Sequence, residues 1–309
     1  MRVAKTLGSL LGAVIMLPSS TIAASLQQIT NFGTNPTNVA FYLYVPDKLK
    51  AKAPLLVYPH WCHGSAKDAF NSKPWKSYAD SMGFIVIYPS TPWTSDSCWD
   101  VSSPQTLKHN GGGDSQGIVS MVKWTISHYD VDPDRVFVSG TSSGAMMTNV
   151  LIGAYPDMFA AGAALAGVPF SCFSGTGYDQ WSSACAAGSI QKTGDAWASI
   201  VRAAYPEYTG PRPKMQVFHG SADQTLNIQN FYEEVKQWTT VLGAGNSTQV
   251  SQNTPQAGWT KTTYGSKGYV EAFLASGVSH DIPDQPGEVI RFFDLGCSGT
   301  NCFSRKSLV

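Results

Sequence analysis

The sequence predicts an α/β protein built on a mainly parallel sheet with helices on both faces. Three observations carry that expectation: short β-rich apolar runs recur along the chain, segments of helical spacing separate most of them, and the composition can bury one large core. Of 309 residues, 43% are hydrophobic and 12% aromatic, which excludes disorder. Lys and Arg number 21 against 21 Asp and Glu, and charged residues are only 14%, below the roughly 25% of an average soluble chain. Such a balance argues against a nucleic-acid binder that works by neutralising phosphates. The 29 Gly and 18 Pro are too few and too aperiodic for a collagen-like or low-complexity chain.

The first element reads as a targeting signal. Arg2 and Lys5 precede an apolar run over residues 7–17, and the small residues Thr21, Ala23 and Ala24 follow, the pattern of a secretory leader. A transmembrane anchor fits less well, because a helix of about eleven residues reaches about 16 Å, roughly half of a bilayer's hydrocarbon core. Residues 1–24 are expected to be a signal peptide and residues 25–309 one exported, monomeric domain. Strand-like runs follow at residues 40–45, 55–58, 84–88, 135–139, 160–165, 214–218 and 269–274. Between the third and fourth, Ile118, Met121, Val122 and Ile126 recur at helical spacing in a segment expected to end before Asp132-Pro133. The polar stretch 243–256 reads as a surface excursion and residues 170–208 as an insertion between strands. No repeat or linker interrupts the domain.

Export places the six cysteines in an oxidising compartment, where an even count implies disulfides. Closeness along the chain favours Cys297 with Cys302 and Cys172 with Cys185, leaving Cys62 with Cys98; buried free thiols are the alternative. Asn246-Ser247-Thr248 is an acceptor sequon in a polar stretch, so Asn246 is a candidate surface glycosylation site.

Gly140-Thr141-Ser142-Ser143-Gly144 fits the nucleophile-elbow pattern, in which glycines flank a serine on a tight strand-to-helix turn. The bare pattern is weak, but a β-branched strand over residues 135–138 leads in and a helical segment over residues 145–151 leads out. An inert Gly/Ser turn is the plain alternative. A serine hydroxyl needs a base and an orienting carboxylate, which on the α/β-hydrolase fold follow in the order Ser, Asp or Glu, His. His60, His63, His109 and His128 precede Ser142, and His219 ends a strand. That leaves His280, with room for an acid before it. Asp223 lies just past the strand at residues 214–218, whereas Asp281 adjoins the base and Asp195 lies in the insertion. The expected triad is Ser142, Asp223 and His280. Oxyanion donors are expected from the Ser143 backbone N–H and from Cys62 or Trp61 in the loop His60-Trp61-Cys62-His63-Gly64, unless that loop is merely a turn. His60, His63 and Cys62 could also ligate a metal, but no second cluster supplies a fourth ligand at familiar spacing, so neither metal nor cofactor is expected.

These residues resemble carbohydrate esterase family 1, specifically the fungal acetylxylan esterases related to feruloyl esterases and polyhydroxybutyrate depolymerase-like enzymes. The resemblance runs through most of the chain after the leader. It includes His60-Trp61-Cys62, Gly112-Gly113-Asp114-Ser115, the stretch from Val131 to Val136, Gly140-Thr141-Ser142-Ser143-Gly144, Tyr155-Pro156-Asp157, His219-Gly220-Ser221-Ala222-Asp223 and His280-Asp281-Ile282-Pro283. It implies an α/β-hydrolase fold, a Ser/His/Asp triad and metal-free deacetylation of xylan. His60-Trp61-Cys62 stands where the depolymerase branch commonly has His-Gly-Cys, which argues against a polyester substrate. Ser279 replaces the Gly usual before the base. No carbohydrate-binding module is expected to follow. Among nine tryptophans, Trp93, Trp99, Trp181 and Trp259, together with Trp61, are candidates to pack on sugar rings, with core packing as the alternative for each. Asp114 reads as structural. A feruloyl esterase is the nearest rival, and a catalytically silent carbohydrate-binding module is the rival from another class.

Overall fold

The computed structural model describes residues 24–308; the expected signal peptide, apart from Ala24, lies outside the described residues. In chain order the strands are β1 (Gln27–Ile29), β2 (Ala40–Tyr44), β3 (Ala53–Val57), β4 (Ile85–Ser90), β5 (Val131–Thr141), β6 (Ala161–Leu165), β7 (Lys214–Gly220), β8 (Ser247–Gln252), β9 (Trp259–Tyr264) and β10 (Val270–Ala275). They form one sheet in the order β1-β2-β4-β3-β5-β6-β7-β10-β9-β8. The stretch from β4 to β10 is parallel, and antiparallel strands close both sides. This is the α/β-hydrolase arrangement.

Helices α1 (Ala66–Ser72) and α2 (Trp75–Met82) connect β3 to β4, and α3 (Asp114–His128) connects β4 to β5. From there α4 (Ser143–Ala154) leads to β6, α5 (Ser183–Ala186) and α6 (Gly194–Ala203) lead to β7, α7 (Gln229–Val241) leads to β8, and α8 (Pro286–Phe293) follows β10. Alternation within the strands feeds two cores. Leu55, Val57, Ile85, Ile87, Val136 and Val138 face the side covered by α3, α4, α6 and α7. Leu56, Tyr58, Val86, Tyr88, Phe137 and Phe273 face the side covered by α1, α2 and α8. Burial on both faces explains why these strands read as continuous apolar runs.

Each apolar run became a strand within a few residues. The run expected at residues 135–139 begins earlier, at Val131, because the β3–β5 register shifts between Ala53 and Leu55 and admits the Asp132-Pro133 turn into the strand. The polar stretch 243–256 is corrected: it contains β8, which pairs with β9 and extends the sheet. β8 is exposed along most of its length, so it lacked the apolar signal on which the other strands were read.

Disulfides join Cys62 to Cys98, Cys172 to Cys185 and Cys297 to Cys302. The Cys62–Cys98 link, with a separation of 36 residues, restricts the unfolded chain by about 4 kcal/mol on a loop-entropy account.

One buried carboxyl makes stability depend on pH. Glu234 on α7 lies inside the core, where its Oε1 accepts from Asn149 Nδ2 at 2.6 Å. Its Oε2 has no hydrogen-bond partner among the described residues. Burial pushes the carboxyl up to about 8, the Asn149 bond offsetting this only in part. The folded protein therefore keeps a proton that the unfolded chain releases near its ordinary value, and stability falls as pH rises from about 4.5 to about 8. Glu234→Gln keeps the acceptor for Asn149 and removes the ionisation. Its melting temperature should match the wild type near pH 5 and exceed it by about 4 °C or more above pH 8. The same difference at both pH values in a thermal-denaturation series would refute this account.

Candidate active site

The loops at the carboxyl ends of the central parallel strands build the site. Ser142 follows β5 and opens α4 with φ 57° and ψ −122°, a left-handed backbone that costs energy for a non-glycine residue. The turn is held because Ser142 N–H donates to Leu165 O at 2.8 Å. The flanking glycines are required by close approach: a Cβ on Gly140 would lie 2.4 Å from Gly144 O, and one on Gly144 would lie 2.1 Å from Pro59 O. The Ser142 turn is thus packed directly on the loop after β3.

That loop and the segment before Trp99 are fastened to the turn. Ser143 Oγ accepts from Trp99 N at 2.7 Å, and Trp99 Nε1 donates to His60 O at 2.7 Å. The Cys62–Cys98 disulfide joins the same two segments. Ser143, Cys62 and Trp61 line the cavity with Ser142, so the three expected oxyanion residues share its wall. His60 is fully buried, with Nδ1 at 2.7 Å from Trp61 O and Nε2 accepting from Thr91 N at 3.2 Å. Burial lowers its pKa, with the Trp61 carbonyl opposing. With both ring nitrogens engaged and Cys62 in a disulfide, these side chains hold the loop in place.

His280, in the loop after β10, places Nε2 at 2.8 Å from Ser142 Oγ and Nδ1 at 2.7 Å from Asp223 Oδ2. The acid loop fixes Asp223 from the other side: its Oδ1 accepts from Thr225 N and Leu226 N, both at 2.9 Å. A second imidazole meets the same carboxylate, His219 Nε2 lying 3.3 Å from Asp223 Oδ2 and 2.9 Å from Leu226 O. Burial by itself would raise the Asp223 pKa, but hydrogen bonds from His219, His280 and the Leu226 N–H outweigh it and hold the carboxyl well below its ordinary value. Asp223 is therefore an anion facing the imidazole. The base loop rests on the acid loop: Ala222 N–H donates to Val278 O at 2.9 Å, and a Cβ on Gly220 would lie 2.5 Å from Ser279 O. Ser279 takes part through its main chain. Asp281 is exposed at the cavity edge, and Asp195 is exposed on α6.

The cavity, about 600 Å³, has apolar walls from Trp61, Met146, Phe173, Trp181, Leu226 and Ile282. Its acidic margin includes Asp96 and Asp179, and burial together with repulsion from Asp96, Asp114 and Asp100 pushes the Asp179 carboxyl up to about 7. Trp181 is 54% exposed, held edge-on against Phe173. Trp61 lies under the Lys73 ammonium, 5.0 Å from its ring centre.

Trp99 is buried, anchors two loops and shares the cavity lining. The other two tryptophans are corrected: Trp259 is buried in the core behind the sheet, outside the cavity lining. Trp93 stands outside the cavity lining: its Nε1 donates to Asp114 Oδ2 at 2.9 Å and its ring stacks on Tyr178. Asp114, buried, also accepts from Thr37 Oγ1 at 2.6 Å and Asp100 N at 3.0 Å, a structural junction. Sequence reasoning missed Phe173, Met146, Leu226 and Ile282, apolar residues that only the fold gathers. It also missed the second imidazole on Asp223, although the four-residue step from His219 to Asp223 was in view.

The chain matches the family described as Esterase PHB depolymerase over residues 38–245. It is 50% identical over 272 residues to acetylxylan esterase A of Emericella nidulans, covering 87% of this chain and 88% of that one. It is 48% identical over 277 residues to acetylxylan esterase A of Aspergillus oryzae, covering 88% and 89%. The solved acetyl xylan esterase from Aspergillus awamori superposes with a TM-score of 0.85 at 45% identity, covering 88% of this chain and 99% of that one.

Proposed function

The chain belongs to the esterase PHB depolymerase family, and from that premise we infer that it is an acetylxylan esterase, a carboxylic ester hydrolase that removes acetyl groups from xylan through an acyl-enzyme. The observation that carries the serine mechanism is the continuous hydrogen-bonded line from Ser142 through His280 to Asp223 at the floor of an open cavity. His280 Nε2 takes the Oγ proton as Ser142 attacks the acetyl carbonyl. The oxygen that becomes negative is met by the Ser143 N–H at the start of α4 and by an N–H of the Trp61-Cys62 segment. The proton on Nε2 passes to the departing sugar hydroxyl, leaving acetyl on Ser142. Water, deprotonated by the same nitrogen, then releases acetate and restores the hydroxyl. Asp223 holds the imidazole with Nδ1–H toward itself and stabilises the cation formed in each half-reaction.

Trp181 and Trp61 offer aromatic faces at the cavity for the xylan backbone. Three disulfides fit an exported enzyme, and Asn246, exposed just before β8, is open to a glycan. No described helix is long and apolar enough to cross a membrane. The test is acetate release from acetylated xylan compared with ferulate release from methyl ferulate by the same preparation. Acetate release is expected to dominate, and ferulate release without acetate release would overturn the substrate assignment.

A further inference from the structure

A second cavity, about 400 Å³, lies away from the catalytic loops and is lined by Arg202, Arg212, Tyr205, Tyr208, Tyr269 and Leu308 among others. Arg212 precedes β7 and Tyr269 precedes β10, whereas Asp223 and His280 follow the far ends of those same strands. At about 3.3 Å per residue the strands separate the two cavities by roughly 20 Å. Arg202 projects from the last turn of α6. Among the described residues the arginines in ion pairs are Arg291 and Arg305, not these two. Arg212 reaches only a long 3.5 Å contact with Gly153 O and the face of Tyr208, 5.7 Å from the ring centre. The two guanidinium groups feel each other: burial first, then the Arg202 charge, lowers the pKa of Arg212. The tyrosines are fixed, with Tyr205 stacked on His109 at 3.7 Å between ring centres and Tyr208 at 5.5 Å from Tyr205.

Two guanidinium groups with no ion-pair partner among the described residues share a concave site open to an anion, and their planar forks match a carboxylate. The fixed phenol rings and the apolar Leu308 give the cavity a wall on which a sugar ring can pack. We propose that this cavity is a second carbohydrate site that binds a uronate side group of the polysaccharide whose acetyl esters enter the catalytic cavity. The choice of polysaccharide rests on the xylan assignment above; the anionic-sugar chemistry does not.

The test is affinity electrophoresis of the full chain carrying Ser142→Ala, in gels containing glucuronate-substituted xylan or the same xylan after chemical reduction of its carboxyl groups, with dextran sulfate as a third gel. Stronger retardation by the uronate-bearing xylan is expected. Arg202→Gln and Arg212→Gln should each weaken the uronate-dependent part about fivefold, while neither alters p-nitrophenyl acetate hydrolysis when placed in the Ser142 enzyme. Arg202→Gln, on the helix surface, carries the test alone should the half-buried Arg212 prove necessary for folding. Equal retardation by native and carboxyl-reduced xylan would overturn the site, as would undiminished retardation of the variants. Dextran sulfate retarding the protein as strongly at equal charge would overturn it too, by reducing the effect to unselective attraction. Failure of the wild type to release acetate from xylan would remove the catalytic assignment while leaving the gel comparison able to decide the site.

Discussion

Ser142→Ala lowers acetate release by roughly 10⁵-fold to 10⁶-fold if the serine is the nucleophile, the loss seen when a hydrolase keeps its binding site and oxyanion donors but not its attacking oxygen. The substitution removes one atom and its hydrogen bond to His280 Nε2. It keeps a Cβ at the positive-φ position, so backbone strain is the same in both proteins and the melting temperature should change by only a few degrees. Preserved stability with lost turnover separates a chemical role from a folding role. Turnover within a factor of about ten of wild type would require another nucleophile, since water activated by His280 alone reproduces only a small part of triad catalysis.

The parts of this site legible in the sequence were those whose physics is local. Gly140 and Gly144 frame Ser142 because two backbones touch there, and the flanking strand and helix are short-range patterns. Chain order on a parallel sheet placed Asp223 and His280, because every strand end delivers its loop to the same edge. Even the disulfide partners followed from proximity in sequence. What could not be read depended on non-local geometry. The exposed face of Trp181 and the buried one of Trp259 have the same composition and differ only in which layer covers them. The role of Ser143 as acceptor for Trp99 requires the β4–α3 loop to fold back over the Ser142 turn. β8, largely exposed on both faces, is a strand because β9 presents an edge to it.

Those non-local contacts make the proposed oxyanion wall a composite of three segments: the turn at Ser142, the loop after β3, and the segment ending at Trp99. Each holds another through a backbone group, His60 O and Trp99 N among them, and the Cys62–Cys98 link closes the circuit. Preorganised donors stabilise charge only when they do not move as it forms. A disulfide between two of the segments is the kind of restraint that keeps them still.

The carboxylate is the second position where one atom should decide turnover. Asp223→Asn is expected to reduce kcat by about 10⁴-fold near neutral pH, and the hydrogen bonds explain why the amide cannot escape by turning over. Thr225 N–H and Leu226 N–H both point at Oδ1, so the asparagine must keep its carbonyl oxygen there. Its NH₂ then occupies the place of Oδ2, facing His280 Nδ1. A donor at that point makes Nδ1 the acceptor and moves the ring proton to Nε2, where it points at Ser142 Oγ and cannot receive the serine proton. His219 Nε2, committed to Leu226 O, presents a further donor to the same NH₂ and reinforces the mismatch. The two backbone bonds survive, so the variant should remain folded, with KM changed much less than kcat. Loss of kcat by less than about tenfold would show that the imidazole keeps its working tautomer without the carboxylate.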